Sequence, residues 1–208
     1  MAATSIDAII AAARVSRGTF YKYFAAPDTL LRELALELTN DILRAVHPLV
    51  LTYDDPAARI ATGLRMVVRL AESRPAVGSF FLRLGWPDLD RRHMLFDFVQ
   101  RDLAVGMRRG RLTAMPTLLA LNIVAGTALG AIHAVLSKES TQDLAEQAAA
   151  SALRALGIEA TQAARLVALP LPQFLPVDGG LVARAAKELP LSQSAGRKST
   201  AKRVWARG

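Results

Sequence analysis

The chain contains no cysteine and only three histidines, His47, His93 and His133, far apart in sequence. The first absence excludes disulfides and thiolate metal or redox sites, and the second leaves no histidine pair at metal-ligand spacing. No metal and no cofactor are expected. Glycine-rich phosphate loops are missing too: neither G-x-G-x-x-G nor a P-loop spacing occurs. No nucleophile motif ties Ser, His and Asp together. No catalytic residue is assigned, and an enzyme is not expected. Acidic residues are in the minority, 18 against 26 Lys+Arg, for a net charge of +8. That excess is uneven. From Val177 onward seven cations face two acids, which leaves only +3 for residues 1–176. The basic character belongs mostly to the tail and does not by itself mark the body as a DNA binder. The N-terminus lacks a basic region followed by an apolar core and a small-residue cleavage site, so no secretory signal is read. With the absence of cysteine, this fits a cytoplasmic protein.

What is present is helical periodicity. In Thr4 to Phe24, Thr4 is a candidate N-cap with Asp7 three residues on. Ile6, Ile9, Ile10 and Ala13 follow helical spacing. Val15 is expected to plug a turn, and Ser16 to cap a second helix. Phe20 and Phe24, four apart, share one face, expected to be the buried one. Arg17, Gly18, Tyr21 and Lys22 then share the exposed face. Cations and a tyrosine on a short exposed helix suit contacts to phosphates and base edges. The candidate DNA-binding residues are Ser16, Arg17, Thr19, Tyr21, Lys22 and Tyr23. A third helix starts at Pro27, whose missing N–H costs nothing in a first turn. It carries Leu30, Leu31, Leu34 and Leu38 inward, with a break expected at Pro48.

The remainder reads as more helices. One begins at Asp55-Pro56 with Ile60, Leu64, Val67, Val68 and Ala71 as a buried stripe, and Arg74-Pro75 ends it. An apolar helix over AVGSFFLRLGW follows, then a turn at Trp86-Pro87. A longer helix is expected from Asp88 to about Gly110, with Arg108, Arg109 and Arg111 solvated at its end. Leu112 to Ser137 holds no charged residue, and Gly126 and Gly130 stand in G-x-x-x-G spacing. Its length and composition match a bilayer span. Thr117, Asn122, Thr127 and His133 interrupt the run and no aromatic belt flanks it, so a dimer helix is the better account and no membrane is expected. A helix capped by Ser140 or Thr141 and ended by Gly157 completes the pair. Together the stretches 116–137 and 140–157 are expected to form a four-helix bundle between two protomers. A short helix over TQAARLVAL leads to Pro170. A further helix over LVARAAKEL is followed by an irregular basic stretch, SQSAGRKSTAKRVWARG, expected to be disordered.

The segment TSIDAIIAAARVSRGTFYKYFAAPDTLL resembles the DNA-binding signature of the tetracycline-repressor (TetR-like) family. The resemblance covers the second helix, the turn, the recognition helix and the start of the connecting helix. It carries the pattern S-R-G-T-F-Y-x-x-F and a leucine pair. It implies an all-α homodimer with an N-terminal helix-turn-helix head and a helical body that binds a ligand and dimerises. It further implies double-stranded DNA and an unknown small-molecule effector as partners, and release from a palindromic operator by a small, largely apolar ligand. The expected division is a head with its connecting helix over 1–46, a body over 47–176 and a tail over 177–208. The sequence departs from the family pattern in three places. Three residues precede Thr4, so the first helix of the head is expected to be lacking. Arg14 stands where the turn usually has glycine, and Pro27 where lysine is usual. The candidate pocket walls are Leu64, Val68, Phe80, Phe81, Trp86, Phe98 and Met107, with Asn122 and His133 as polar anchors. The alternative is a dimeric ligand-binding or interaction protein with a head that does not bind DNA.

Overall fold

A computed structural model describes residues 6–84, 96–139, 142–173 and 178–188. Every regular element among them is helical: α1 (Ile6–Ala13), α2 (Arg17–Tyr23), α3 (Pro27–Val50), α4 (Pro56–Ser73), α5 (Pro75–Leu84), α6 (Arg101–Arg108), α7 (Thr117–Leu136), α8 (Leu144–Ala155), α9 (Ala160–Val167) and α10 (Leu181–Glu188), with a π-helical turn (Phe96–Gln100) leading into α6. The expected cap at Thr4, the Trp86-Pro87 turn, the start at Asp88 and the stretch after position 188 lie outside the described residues. The cap expected at Ser140 or Thr141 is misplaced, because α8 starts later, with Asp143 at its N-cap position.

The body is built around α4. A single buried stripe was the expectation; α4 instead buries residues all round, including Ala57, Thr62, Arg65, Met66 and Leu70. The reason is that α4 packs on α3, α5, α6, α7, α8 and α9 at once. One face joins a core with α6, α7, α8 and α9 through Ile60, Leu64, Leu103, Leu121 and Leu153. The opposite face joins a second core with α3, α5 and α10 through Leu38, Ile42, Val46, Met66, Val77 and Val182. Full burial of such a side chain contributes about 1.5–3 kcal/mol.

Asp55 starts α4 by accepting the Ala57 N–H at 2.9 Å. Its carboxylate also receives Arg111, with Nε 3.1 Å and Nη2 2.8 Å from Oδ2. Burial pushes the Asp55 carboxyl up, but the Arg111 and Ala57 hydrogen bonds outweigh it and hold it below the ordinary range. Arg108 and Arg109 are exposed, as expected; Arg111 is not merely solvated. The chain reverses after α6, Arg111 N donating to Gly106 O, and this returns the guanidinium to the start of α4. On the far side of α4, Glu146 of α8 accepts from Arg65 at 3.1 Å and Arg69 at 2.7 Å.

The break expected at Pro48 does not occur: α3 runs through it to Val50. Proline in a helix removes one hydrogen bond and crowds the preceding turn. Here it stands in the last turn, and burial of Val46 and Val50 in the second core holds the helix together on either side. Leu34, expected inward, is exposed. Gly157 ends the α8 segment at φ +91°. A Cβ there would lie 1.9 Å from Thr113 Oγ1, so both the backbone and the close approach require glycine.

By length and composition α7 is apolar enough to cross a membrane. In the fold it packs on α4, α5 and α8. Leu118, Leu119, Gly130 and His133 remain exposed along it.

Candidate DNA-reading helix and ligand cavity

The local sequence builds α2 from its cap. Ser16 is extended (φ −76°, ψ 157°), and its Oγ accepts the Thr19 N–H at 3.0 Å. The two hydroxyl oxygens of Ser16 and Thr19 are 2.8 Å apart. Phe20 is buried and Phe24 half-buried, their rings 5.5 Å apart. Tyr21 meets the edge of Phe20 at 5.4 Å yet leaves about half its surface exposed. Arg17, Lys22 and Tyr23 are exposed as well. The structure thus brings all six candidate DNA-binding residues onto one seven-residue helix and its cap. Arg17 is ion-paired with Asp7 of α1, which raises the guanidinium pKa. Arg14, in the turn, has φ +53°, a left-handed conformation that costs a non-glycine residue about 1 kcal/mol. Val15, expected as a plug, is exposed. The inward face of α1 is thin: Ile6, Ile9 and Ile10 are only half-buried, and α1 buries no residue fully.

The second site is a cavity of about 380 Å³ bounded by α3, α4, α5, the π-turn, α6 and α7. Apolar walls come from Leu36, Ile42, Leu43, Ile60, Leu64, Val67, Phe81, Phe98, Val124 and Leu129. Polar groups are few: Arg32, Thr39, His47, Arg59 and Asp102. Arg59 Nη1 donates to Asp102 Oδ1 at 3.0 Å and Arg59 Nε to Tyr53 O at 2.7 Å. His47 stacks flat on Phe98, ring centroids 3.7 Å apart and planes 3° apart. Arg101 Nη2 lies 3.5 Å from His47 Nε2. A guanidinium can only donate, so a hydrogen bond between the two needs Nε2 as the acceptor. Burial, then the nearby Arg101, pushes the imidazole pKa down, with Asp102 opposing and Arg59 adding to the fall.

Of the residues expected to wall a pocket, Leu64, Phe81 and Phe98 line this cavity. Val68 is fully buried in the first core, Met107 packs against that core and Phe80 against the second. His133 is exposed on α7, and Asn122, which is not among the lining residues, has a buried Oδ1 with no hydrogen bond among the described residues. Trp86 lies outside the described residues. The polar residues that do line the cavity were not anticipated. Arg59 and Asp102 stand 43 positions apart, and no local pattern joins them.

A capped helix with exposed polar side chains is joined by one continuous helix to a body that holds a largely apolar cavity. The chain belongs to the tetracycline-repressor family. Residues 1–34 match the model described as bacterial regulatory proteins of the tetR family, and residues 55–169 match the tetracyclin repressor-like C-terminal domain. Two solved structures of RolR are similar to it. The complex with the ligand resorcinol is 30% identical, with TM-score 0.68, covering 82% of this chain and 86% of that one. The ligand-free form is 29% identical, with TM-score 0.68, covering 83% and 89%. No curated protein matches the chain. Regulators of this family are non-enzymatic, bind DNA as homodimers and respond to small molecules.

Proposed function

We propose that this chain is a repressor that leaves a palindromic operator when a small, largely apolar ring compound fills the cavity. The observation that carries the reading is α3. It starts four residues after α2 ends and lines the cavity from Arg32 to Val50. A ligand seated there touches the same rigid element that carries the reading head, and shifts the population of head spacings rather than performing chemistry. RolR, whose complex holds resorcinol, supports a ligand of that size and kind.

In this reading each α2 enters a major groove and the dimer reads two half-sites. Arg17 and Lys22 contact guanine edges or phosphates. Tyr21 and Tyr23 donate to phosphates or stack on sugar, the Thr19 methyl meets a thymine methyl, and Ser16 helps hold a phosphate. Arg17 leaves Asp7 to do so, and giving up that ion pair costs part of the binding energy. The dimer forms through α7 and α8, and the exposed Leu118, Leu119 and Gly130 of α7 give a face another copy can approach. Residues 1–46 act as head and connector, 47–176 as body and 177–208 as a basic tail, in a protein that works beside DNA in the cytoplasm.

The strained Arg14 and the Arg17–Asp7 pair favour the alternative, a ligand-binding dimer with a silent head. One experiment separates the two. Operator-sized duplexes recovered by selection should bind the chain, and Arg17→Ala with Tyr21→Phe should weaken that binding at least tenfold. Unchanged affinity removes α2 as the reader.

A further inference from the structure

We infer that Asp102 makes the cavity select a neutral ring hydroxyl over a carboxylate or an ether of similar shape. This rests on the effector reading above and names the chemistry that the same site demands. Asp102 is buried, its side chain only 6% exposed, yet it lines the cavity. A carboxylate offers about four acceptor sites. Among the described residues one hydrogen bond reaches it, from Arg59 to Oδ1. Counting those residues, acceptor capacity remains on Asp102, and Arg59 offsets its charge without filling it.

Three classes of ligand meet this group differently. A phenol keeps its proton at neutral pH, since its pKa is near that of tyrosine, about 10, and it can donate to Asp102. An aryl carboxylate brought to the same place sets two carboxylates together in an apolar cavity, with Arg59, the cation that faces them, already paired to Asp102. Arg32 offers an anion a partner at the mouth, but it is exposed and its field is screened by water. An ether has the ring and the oxygen but no proton, and leaves the acceptor unmet. Amines are disfavoured by Arg32, Arg59 and Arg101 around the same wall. His47 is stacked on Phe98, and burial and Arg101 lower its pKa, which favours the uncharged ring and leaves this order in place.

The test is calorimetry on the full 208-residue chain with three probes: resorcinol, 1,3-dimethoxybenzene and benzoate. Resorcinol should bind at least tenfold more tightly than either of the others. In Asp102→Asn, Arg59 is left uncompensated, so resorcinol should weaken at least tenfold and benzoate should gain. The wild-type ranking needs no variant, so it stands even if Asp102→Asn does not fold. Equal binding of resorcinol and dimethoxybenzene, tighter binding of benzoate, or an unchanged ranking in the variant overturns the assignment. Binding of no probe by a chain that still binds its selected duplex overturns it too, while leaving the DNA reader in place. Loss of DNA binding with the resorcinol preference intact does the reverse.

Discussion

His47 stands on α3 with one ring face on Phe98 and Nε2 turned to Arg101. Its proton is held less firmly in the folded chain than the ordinary value of 6.5, first because of burial and then because of Arg101. The sign of the linkage follows. Between the ordinary and the lowered value the unfolded chain binds more protons, so stability is present above that window and falls as pH drops through it. Urea midpoints taken from about pH 7.5 down to about pH 5.5, roughly one unit either side of the window's upper edge, should decline less in His47→Gln than in wild type. Equal declines would show that His47 is not the group responsible. No residue pattern near position 47 signals this. The stacking partner is 51 positions away, so the sequence records only a histidine in a helix.

Among the elements, those set by local rules were legible. Ser16 capping α2, Asp55-Pro56 opening α4, Arg74-Pro75 closing it and Gly157 at positive φ are each dictated by neighbouring residues. What was not legible depends on distant partners. Burial of Val46 and Val50 carries α3 through Pro48, and a chain reversal brings Arg111 to Asp55. The cavity was half legible for the same reason. Apolar spacing finds Leu64, but it cannot tell a cavity wall from a core position such as Val68. The exposed row on α7 carries a prediction of its own. Gly130 has nothing within 4 Å of where a Cβ would lie, so Gly130→Leu fits within the protomer while blocking close approach of a second helix. With Leu119→Glu beside it, sedimentation should show a monomer of unchanged helicity. A dimer of wild-type affinity would move the interface elsewhere.

In the whole molecule the head is lightly built and the body is not. The head rests on Phe20, a cap and a strained turn, whereas α4 is gripped by six helices. Under the proposed function, a small change in the body would reset the head without unfolding the core. The connecting helix is the link: Ile42, Val46 and Val50 both line the cavity and belong to the second core. Ligand and DNA should then compete through α3. By reciprocity, whatever factor the ligand takes from DNA affinity, DNA takes from ligand affinity.

The most direct measurement is a selection from random duplex DNA with the 208-residue chain, followed by anisotropy titration of the winning duplex with and without resorcinol. The account predicts a two-fold symmetric site, with half-sites spaced by about a helical turn or a multiple of it, bound in a salt-dependent manner and released by the ligand. Recovery of no enriched sequence, or an enriched site whose affinity is indifferent to any ligand that fills the cavity, would contradict it.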